Sequence, residues 1–365
     1  MPQQSIGKCS ICGTTDAPLV RHHIIPRSMG GRNHPDNLLL VCPNCDRWIG
    51  DPSELRFARF LRALLERSPK FSNVAFDARL GESKLRPDIV ADQPGTGRKL
   101  IIECKNFPVL TGSRLVGALA QLKDYLKVAE GGRGVLAFPG YADDETLGKI
   151  AGEQIDLWDL KTLASLFKAE IEQINDPVFS RMFRGTEARR SLEDDLIKQL
   201  RECPPSNEGW LQYQKLIGRI LSHLFCPPLT SSLVEHSDFS STNRRDFIFP
   251  NYAVDGFWLF LRTRYAADYI VVDAKNGKGK IQKAHVLQVA NYLKEHGVGK
   301  YGMILCREGA DRGATVTLRE QWALHQKLIV VLTHREIEEM LLAKAALGDP
   351  SSTIGDYIQR FRLSM

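Results

Sequence analysis

Leu100-Ile101-Ile102-Glu103-Cys104-Lys105-Asn106 is an apolar run that turns charged without losing the alternation of a β-strand. Strand side chains point to opposite faces in turn, so Glu103 and Lys105 project together while Cys104 turns into the core. The same logic returns at Ile270-Val271-Val272-Asp273-Ala274-Lys275-Asn276, where Asp replaces Glu and Ala274 takes the small inward position. Each run has an acid upstream. Asp88 follows Arg86-Pro87 with fourteen residues before Glu103, and Asp246 follows Arg245 with twenty-six before Asp273.

The two acids of a set can position a hard divalent cation, and the ammonium can stabilise or deprotonate a water beside it. Working outward, residues 55–66 carry a one-sided apolar helical pattern, and strands are expected at 73–80, 87–91 and 99–106. A helix at 115–128, a strand at 134–138, a helix at 145–153 and a strand–helix unit at 155–167 complete an α/β domain. Ser191-Leu192-Glu193-Asp194 carries a helix-start signature, and Cys203-Pro204-Pro205 stops that helix.

The order then recurs with a period near 160–170 residues. A helix is expected at 210–225, strands at 247–249, 257–261 and 269–276, and a helix at 283–296. A strand at 301–306, a helix near 316–325, a strand at 327–332 and a closing helix at 335–345 follow. Gln121 and Tyr125 on one helix are matched by Gln288 and Tyr292, both pairs one turn apart. A lone Glu-x-Lys is weak, because it recurs on solvated strands. The whole set met twice in one order is not.

These residues, with the α-β-β-β-α-β order, resemble the PD-(D/E)xK restriction-endonuclease-like superfamily, and the helical glutamine is similar to that of its Mrr-like members. The resemblance implies Mg²⁺- or Mn²⁺-dependent phosphodiester hydrolysis. Asp88, Glu103, Lys105 and Gln121 would form one catalytic set, and Asp246, Asp273, Lys275 and Gln288 the other. The acids would hold the metal. A helix acid, Glu54 or Glu66 in the first copy and Glu208 in the second, is a further metal candidate. Lys278, Lys280 and Lys283 beside the second set are candidate phosphate contacts.

The first 50 residues differ in texture, being rich in Cys, His, Pro, Gly and Asn. Cys9-x-x-Cys12 and Cys42-x-x-Cys45, with 29 residues between the pairs, have the spacing of a four-thiolate structural zinc site. Between them, His22-His23-Ile24-Ile25-Pro26, Gly30-Gly31 and Asn37-Leu38 resemble the HNH (ββα-metal) nuclease family. Carried over by position, His23 would be the general base, His22 a metal ligand and Asn37 the residue holding the His23 loop. Where many members place two further histidines, this chain has Asp46, which can ligate, and Gly50, which cannot. A competent nuclease site and a zinc-stabilised DNA-contacting module both remain open. Arg21, Arg27, Arg32 and Arg47 are candidate phosphate contacts in either case.

The chain has 365 residues, net charge +6 and 43% hydrophobic residues, which excludes wholesale disorder and fits two to three domains. No run approaches the ~18 apolar residues of a membrane span, and no apolar segment follows Met1. Four scattered cysteines beside two metal-type pairs do not read as a disulfide scaffold. A cytoplasmic protein without membrane contact is expected. The expected organisation is a small zinc-bound ββα module (1–50), a first α/β restriction-endonuclease-like domain with a mixed sheet (51–170), a helical connector (171–207) and a second such domain (208–365). The expected function is a DNA endonuclease acting on duplex DNA in restriction, anti-phage defence or repair, with a homo-oligomer or a helicase-type defence partner left open. A non-catalytic DNA-binding protein and an RNA-directed nuclease are the alternatives.

Overall fold

The computed structural model describes residues 5–23, 38–50 and 54–365, except 130, 152, 175, 177, 184–185, 206–208 and 238–243. It is a multidomain α/β protein with mixed sheets and a four-cysteine cluster near its N-terminus. Contacts divide the chain at Ser191–Leu192 into two compact units, each with its own five-stranded sheet.

The first unit begins with an antiparallel sheet of β1 (Ser5–Gly7), β2 (Ala17–His23) and β3 (Leu38–Val41), followed by α1 (Pro43–Gly50). Among its described residues the buried cluster is Cys9, Leu19, Val41 and Cys45, with a few half-buried neighbours. Two of those four are cysteines, so the described cluster is small and partly made of metal-type side chains.

Next come α2 (Glu54–Arg67), β4 (Ser72–Phe76), β5 (Ile89–Gln93), β6 (Arg98–Cys104), β7 (Val109–Leu110) and α3 (Gly112–Val128). They are followed by β8 (Arg133–Ala137), β9 (Tyr141–Ala142), α4 (Asp144–Ile150) and β10 (Ile155–Trp158). The sheet order is β10-β8-β6-β5-β4, antiparallel across β4-β5-β6 and parallel from β6 through β8 to β10. Strand β6 is central, and Leu100, Ile101 and Ile102 are all buried, as expected of a strand covered on both faces.

Three short helices, α5 (Leu160–Leu166), α6 (Lys168–Gln173) and α7 (Phe179–Phe183), complete the unit. Phe179 packs its ring 5.5 Å from Phe57 and 5.2 Å from Phe60 of α2. Beneath that contact Arg56, 4% exposed, pairs with both carboxylate oxygens of Asp176 at 3.3 Å. Removing one partner of a buried pair withdraws the countercharge from the other while it stays buried. Asp176→Ala is therefore expected to lower the unfolding free energy of this unit by about 3–5 kcal/mol, read by denaturant titration. A loss below about 1 kcal/mol would show that the guanidinium stays solvated.

Helix α8 (Thr186–Glu202) corrects the expected start at Ser191, which lies inside the helix. Glu187, Ala188 and Arg189 are good helix formers, so nothing interrupts the turns before it.

The second unit contains α9 (Trp210–Phe225), β11 (Leu233–Ser237), β12 (Arg244–Pro250), α10 (Gly256–Tyr265), β13 (Tyr269–Ala274) and α11 (Lys283–Tyr292). It continues with β14 (Tyr301–Leu305), α12 (Arg312–His325), β15 (Leu328–Leu332), α13 (His334–Ala345) and α14 (Ser351–Leu363). Its sheet runs β11-β12-β13-β14-β15 with the same strand senses as the first, antiparallel to β13 and parallel beyond.

Two expectations fail here. Residues 257–261 form part of helix α10, not a strand, and put Trp258, Leu261 and Tyr265 on one buried face. A five-residue apolar run carries no period of its own. The strand it was taken for is β11, in a segment with little apolar content. The expected closing helix is likewise followed by α14.

The two sheets share a register. Ile89 pairs with Ile102, and Phe247 with Val272. In both, the acid pair (Asp88 with Glu103, Asp246 with Asp273) therefore stands one residue beyond the last antiparallel rung.

Candidate active site

At the end of β6 the structure brings Asp88, Glu103 and Lys105 together, and adds Glu54 from the first turn of α2. One carboxylate oxygen each from Glu54, Asp88 and Glu103 lies within 4.8 Å of the others. Lys105 Nζ donates to Glu103 Oε1 at 2.8 Å and to Glu54 Oε1 at 3.0 Å. Asp88 Oδ2 accepts from the Cys104 backbone N–H at 2.7 Å, which fastens the end of one strand to the head of its neighbour. Of the two helix acids left open by the sequence, Glu54 reaches the site, while Glu66 pairs with Arg62 at 2.7 Å.

Glu103 is 3% exposed, and its Oε2 has no hydrogen-bond partner among the described residues. A buried carboxylate oxygen left unsatisfied costs free energy that a cation, a water or a proton would recover. Burial pushes the Asp88 and Glu103 carboxyls above the usual carboxylate range. Burial works against the Lys105 ammonium, but Glu103 and Glu54 outweigh it and hold the amine above the usual lysine range. The site is thus an excess of acids sharing one ammonium, which is what a divalent cation would balance.

Gln121 does not touch the acids. It donates to Tyr125 Oη at 2.7 Å, and that hydroxyl donates to the Arg86 carbonyl at 3.2 Å, two residues before Asp88. Its place is behind the Asp88 loop.

The second cluster repeats most of this. Asp246 Oδ2 accepts from the Ala274 backbone N–H at 2.7 Å, Lys275 Nζ lies 2.8 Å from Asp273 Oδ2, and Gln288 donates to Tyr292 Oη at 2.8 Å. Burial, then the neighbouring Asp273, push the Asp246 carboxyl up to about 6. The helix contribution differs. Gln214 of α9 donates to Asp246 Oδ1 at 3.1 Å, and Lys275 donates to Gln288 Oε1 at 3.2 Å, with no helix acid on it among the described residues.

Gln214 was missed from sequence. Its only signal was Gly218 one turn on, where a Cβ would stand 2.8 Å from Phe247 Cε1. That close approach seats α9 on the strand carrying Asp246. Glu208 lies outside the described residues. Lys278, Lys280 and Lys283 are exposed between β13 and the start of α11.

In the N-terminal module, one sulfur each from Cys9, Cys12, Cys42 and Cys45 lies within 4.8 Å of the others. Cys12 Sγ and Cys42 Sγ are 3.8 Å apart, and two thiolates on a tetrahedral zinc with bonds of about 2.3 Å would be separated by about 3.8 Å. Burial opposes ionisation of Cys9, but backbone N–H groups of Cys42, Ile11 and Cys12 outweigh it and lower the thiol to about 6. Burial and the three neighbouring sulfurs push Cys45 up to about 12. Four thiolates cannot coexist there without a cation, and the donor set fits zinc.

His22 Nδ1 lies 3.0 Å from Asp46 Oδ1. A carboxylate on Nδ1 fixes the ring and leaves Nε2 to face a ligand. The two residues expected to form a two-ligand site thus stand against each other, and no third acid, histidine or cysteine joins them among the described residues. His23 is the next residue on β2 and half-buried, and Arg21 is exposed. Arg27, Arg32 and Asn37 lie outside the described residues, as does the Arg47 side chain.

The HNH endonuclease family model matches residues 9–51. Type IV methyl-directed restriction enzyme EcoKMcrA of Escherichia coli (strain K12) is 38% identical over 73 residues, covering 18% of this chain and 24% of that protein. Among solved structures, the MspJI restriction endonuclease in complex with a 27-mer oligonucleotide matches at 16% identity and a TM-score of 0.24, covering 47% of this chain and 36% of that one. The matched stretches thus span well under half of either relative. None of the helices described is long and apolar enough to cross a membrane.

Proposed function

We propose that the chain is a divalent-metal-dependent DNA endonuclease of the restriction type, built from a zinc-stapled HNH module and two PD-(D/E)xK-like α/β domains. The observation that carries the reading is Glu103, buried with one oxygen unsatisfied, beside Asp88, Glu54 and a shared Lys105. The HNH match and the similarity to a restriction enzyme support a nuclease acting in restriction defence.

Asp88, Glu103 and Glu54 would hold Mg²⁺ or Mn²⁺, and the ion would polarise the scissile phosphate and acidify a bound water. The protein's own groups do the rest. Lys105, kept cationic by its two carboxylates, donates to developing negative charge rather than taking a proton. Gln121 and Tyr125 act as positioning residues by holding the backbone that presents Asp88. Arg21 and the lysines 278, 280 and 283 supply sequence-independent phosphate contact.

The test is cleavage of supercoiled plasmid with Mg²⁺ or Mn²⁺, comparing wild type with Lys105→Ala, Lys275→Ala and His23→Ala. Loss of one charge-stabilising donor is worth roughly 10²–10³ in rate, and Lys105→Ala is expected to show it. Cleavage unchanged by all three substitutions would sink the reading, and DNA binding without cleavage would favour a recognition protein. Digestion of single-stranded RNA in preference to duplex DNA would redirect it to RNA.

A further inference from the structure

The two α/β units share strand order, register and the Asp-to-backbone fastening, so their acids invite the same reading. The surroundings of those acids do not. In the first unit the preceding helix supplies a carboxylate, Glu54, and Lys105 is shared between two acids. In the second the preceding helix supplies an amide, Gln214, whose N–H points at Asp246.

We infer that the two copies are unequal: the first takes the divalent ion, and the second is a site that does not load one under conditions that fill the first. This rests on the hydrolytic reading of the first copy and extends it.

Three observations carry it. Among the described residues, groups of three or more acidic, histidine or cysteine side chains close enough to share an ion occur at Glu54-Asp88-Glu103 and at the four cysteines, but not at Asp246-Asp273. Second, Asp246 has both oxygens committed, Oδ2 to the Ala274 N–H and Oδ1 to the Gln214 amide. In the first copy Asp88 Oδ1 accepts no hydrogen bond among the described residues, whereas a buried oxygen without a hydrogen-bond partner is common to both copies, Glu103 Oε2 in the first and Asp273 Oδ2 in the second, so the upstream aspartate carries the difference. Third, Lys275 sits on Asp273 and is steadied by Gln288, so one ammonium already offsets half of a two-carboxylate site. Affinity for hard cations follows the number of charged oxygen ligands. An ion entering the second copy would have to displace an amide donor that the first copy lacks.

The experiment is Mn²⁺ titration of the zinc-loaded full chain without DNA, with bound ion counted from the loss of the free-ion EPR signal. Glu103→Gln is expected to remove one ion per chain. Asp246→Asn, Asp273→Asn and Glu208→Gln, each checked for an unchanged thermal transition, are expected to leave the count unchanged and the affinity within twofold. Two second-unit variants guard against one that fails to fold, and Glu208→Gln tests the helix acid outside the described residues. Loss of an ion on Asp273→Asn, Asp246→Asn or Glu208→Gln, at an affinity within tenfold of the first site, overturns the inference and leaves the proposed function standing. Failure of Glu103→Gln to remove an ion instead brings down the hydrolytic reading of the first copy.

Discussion

Glu103→Gln is expected to cut metal-dependent DNA cleavage at least a thousandfold, about 4 kcal/mol of barrier, while leaving the folded state as stable as wild type or more so. The pairing of outcomes is what discriminates. Glu103 is almost fully buried, and burial already pushes its carboxyl above the usual range, so its charge opposes folding. A neutral amide of the same shape relieves that cost, and Lys105 keeps Glu54 as a partner. Were Glu103 only the structural partner of Lys105, the opposite pattern would follow. Its replacement would lower the melting temperature and spare cleavage. Melting curves and single-turnover cleavage on one preparation separate the two cases.

Removal of zinc is the second large effect. Among the described residues the N-terminal module buries Cys9, Leu19, Val41 and Cys45, a small apolar cluster to set against the entropy of ordering the segment. A structural zinc contributes roughly 10–16 kcal/mol in comparable peptides at neutral pH. Metal analysis should find one zinc per chain. Cys45→Ser, or treatment with a strong chelator, is expected to release it and open residues 5–23 and 38–50 to proteolysis, with the five-stranded sheet of the first unit still folded. A module that stays protease-resistant without metal would show that these sulfurs are merely neighbours.

Much of this architecture is legible in the residues themselves. The central strands announce themselves because Leu100–Ile102 and Ile270–Val272 are short, apolar and followed by an alternating charge, and the doubled Gln-x-x-x-Tyr helix fixes their common order. The two-acid spacing is readable because each upstream aspartate lies near the start of a strand that pairs with the strand carrying the second acid. What escapes is whatever depends on how a helix is set down on the sheet. Glu54 and Glu66 lie on one helix, and only the docking of α2 decides that the first meets Lys105 while the second meets Arg62. Gln214 is invisible for the same reason, since an amide on a helix face carries no chemistry until Asp246 is opposite it. Residues 257–261 misled because a run shorter than two helical turns looks the same in either periodicity.

Each sheet closes its antiparallel edge with an aspartate gripping the first amide beyond the neighbouring acid, Asp88 on Cys104 and Asp246 on Ala274. That clasp needs no metal. A lineage in which one copy stopped cutting would therefore feel pressure to keep the aspartate for architecture, while its glutamate, lysine and helix acid drifted. An intact aspartate is thus a poor witness to activity in proteins built this way, and the company it keeps on the adjoining helix is a better one.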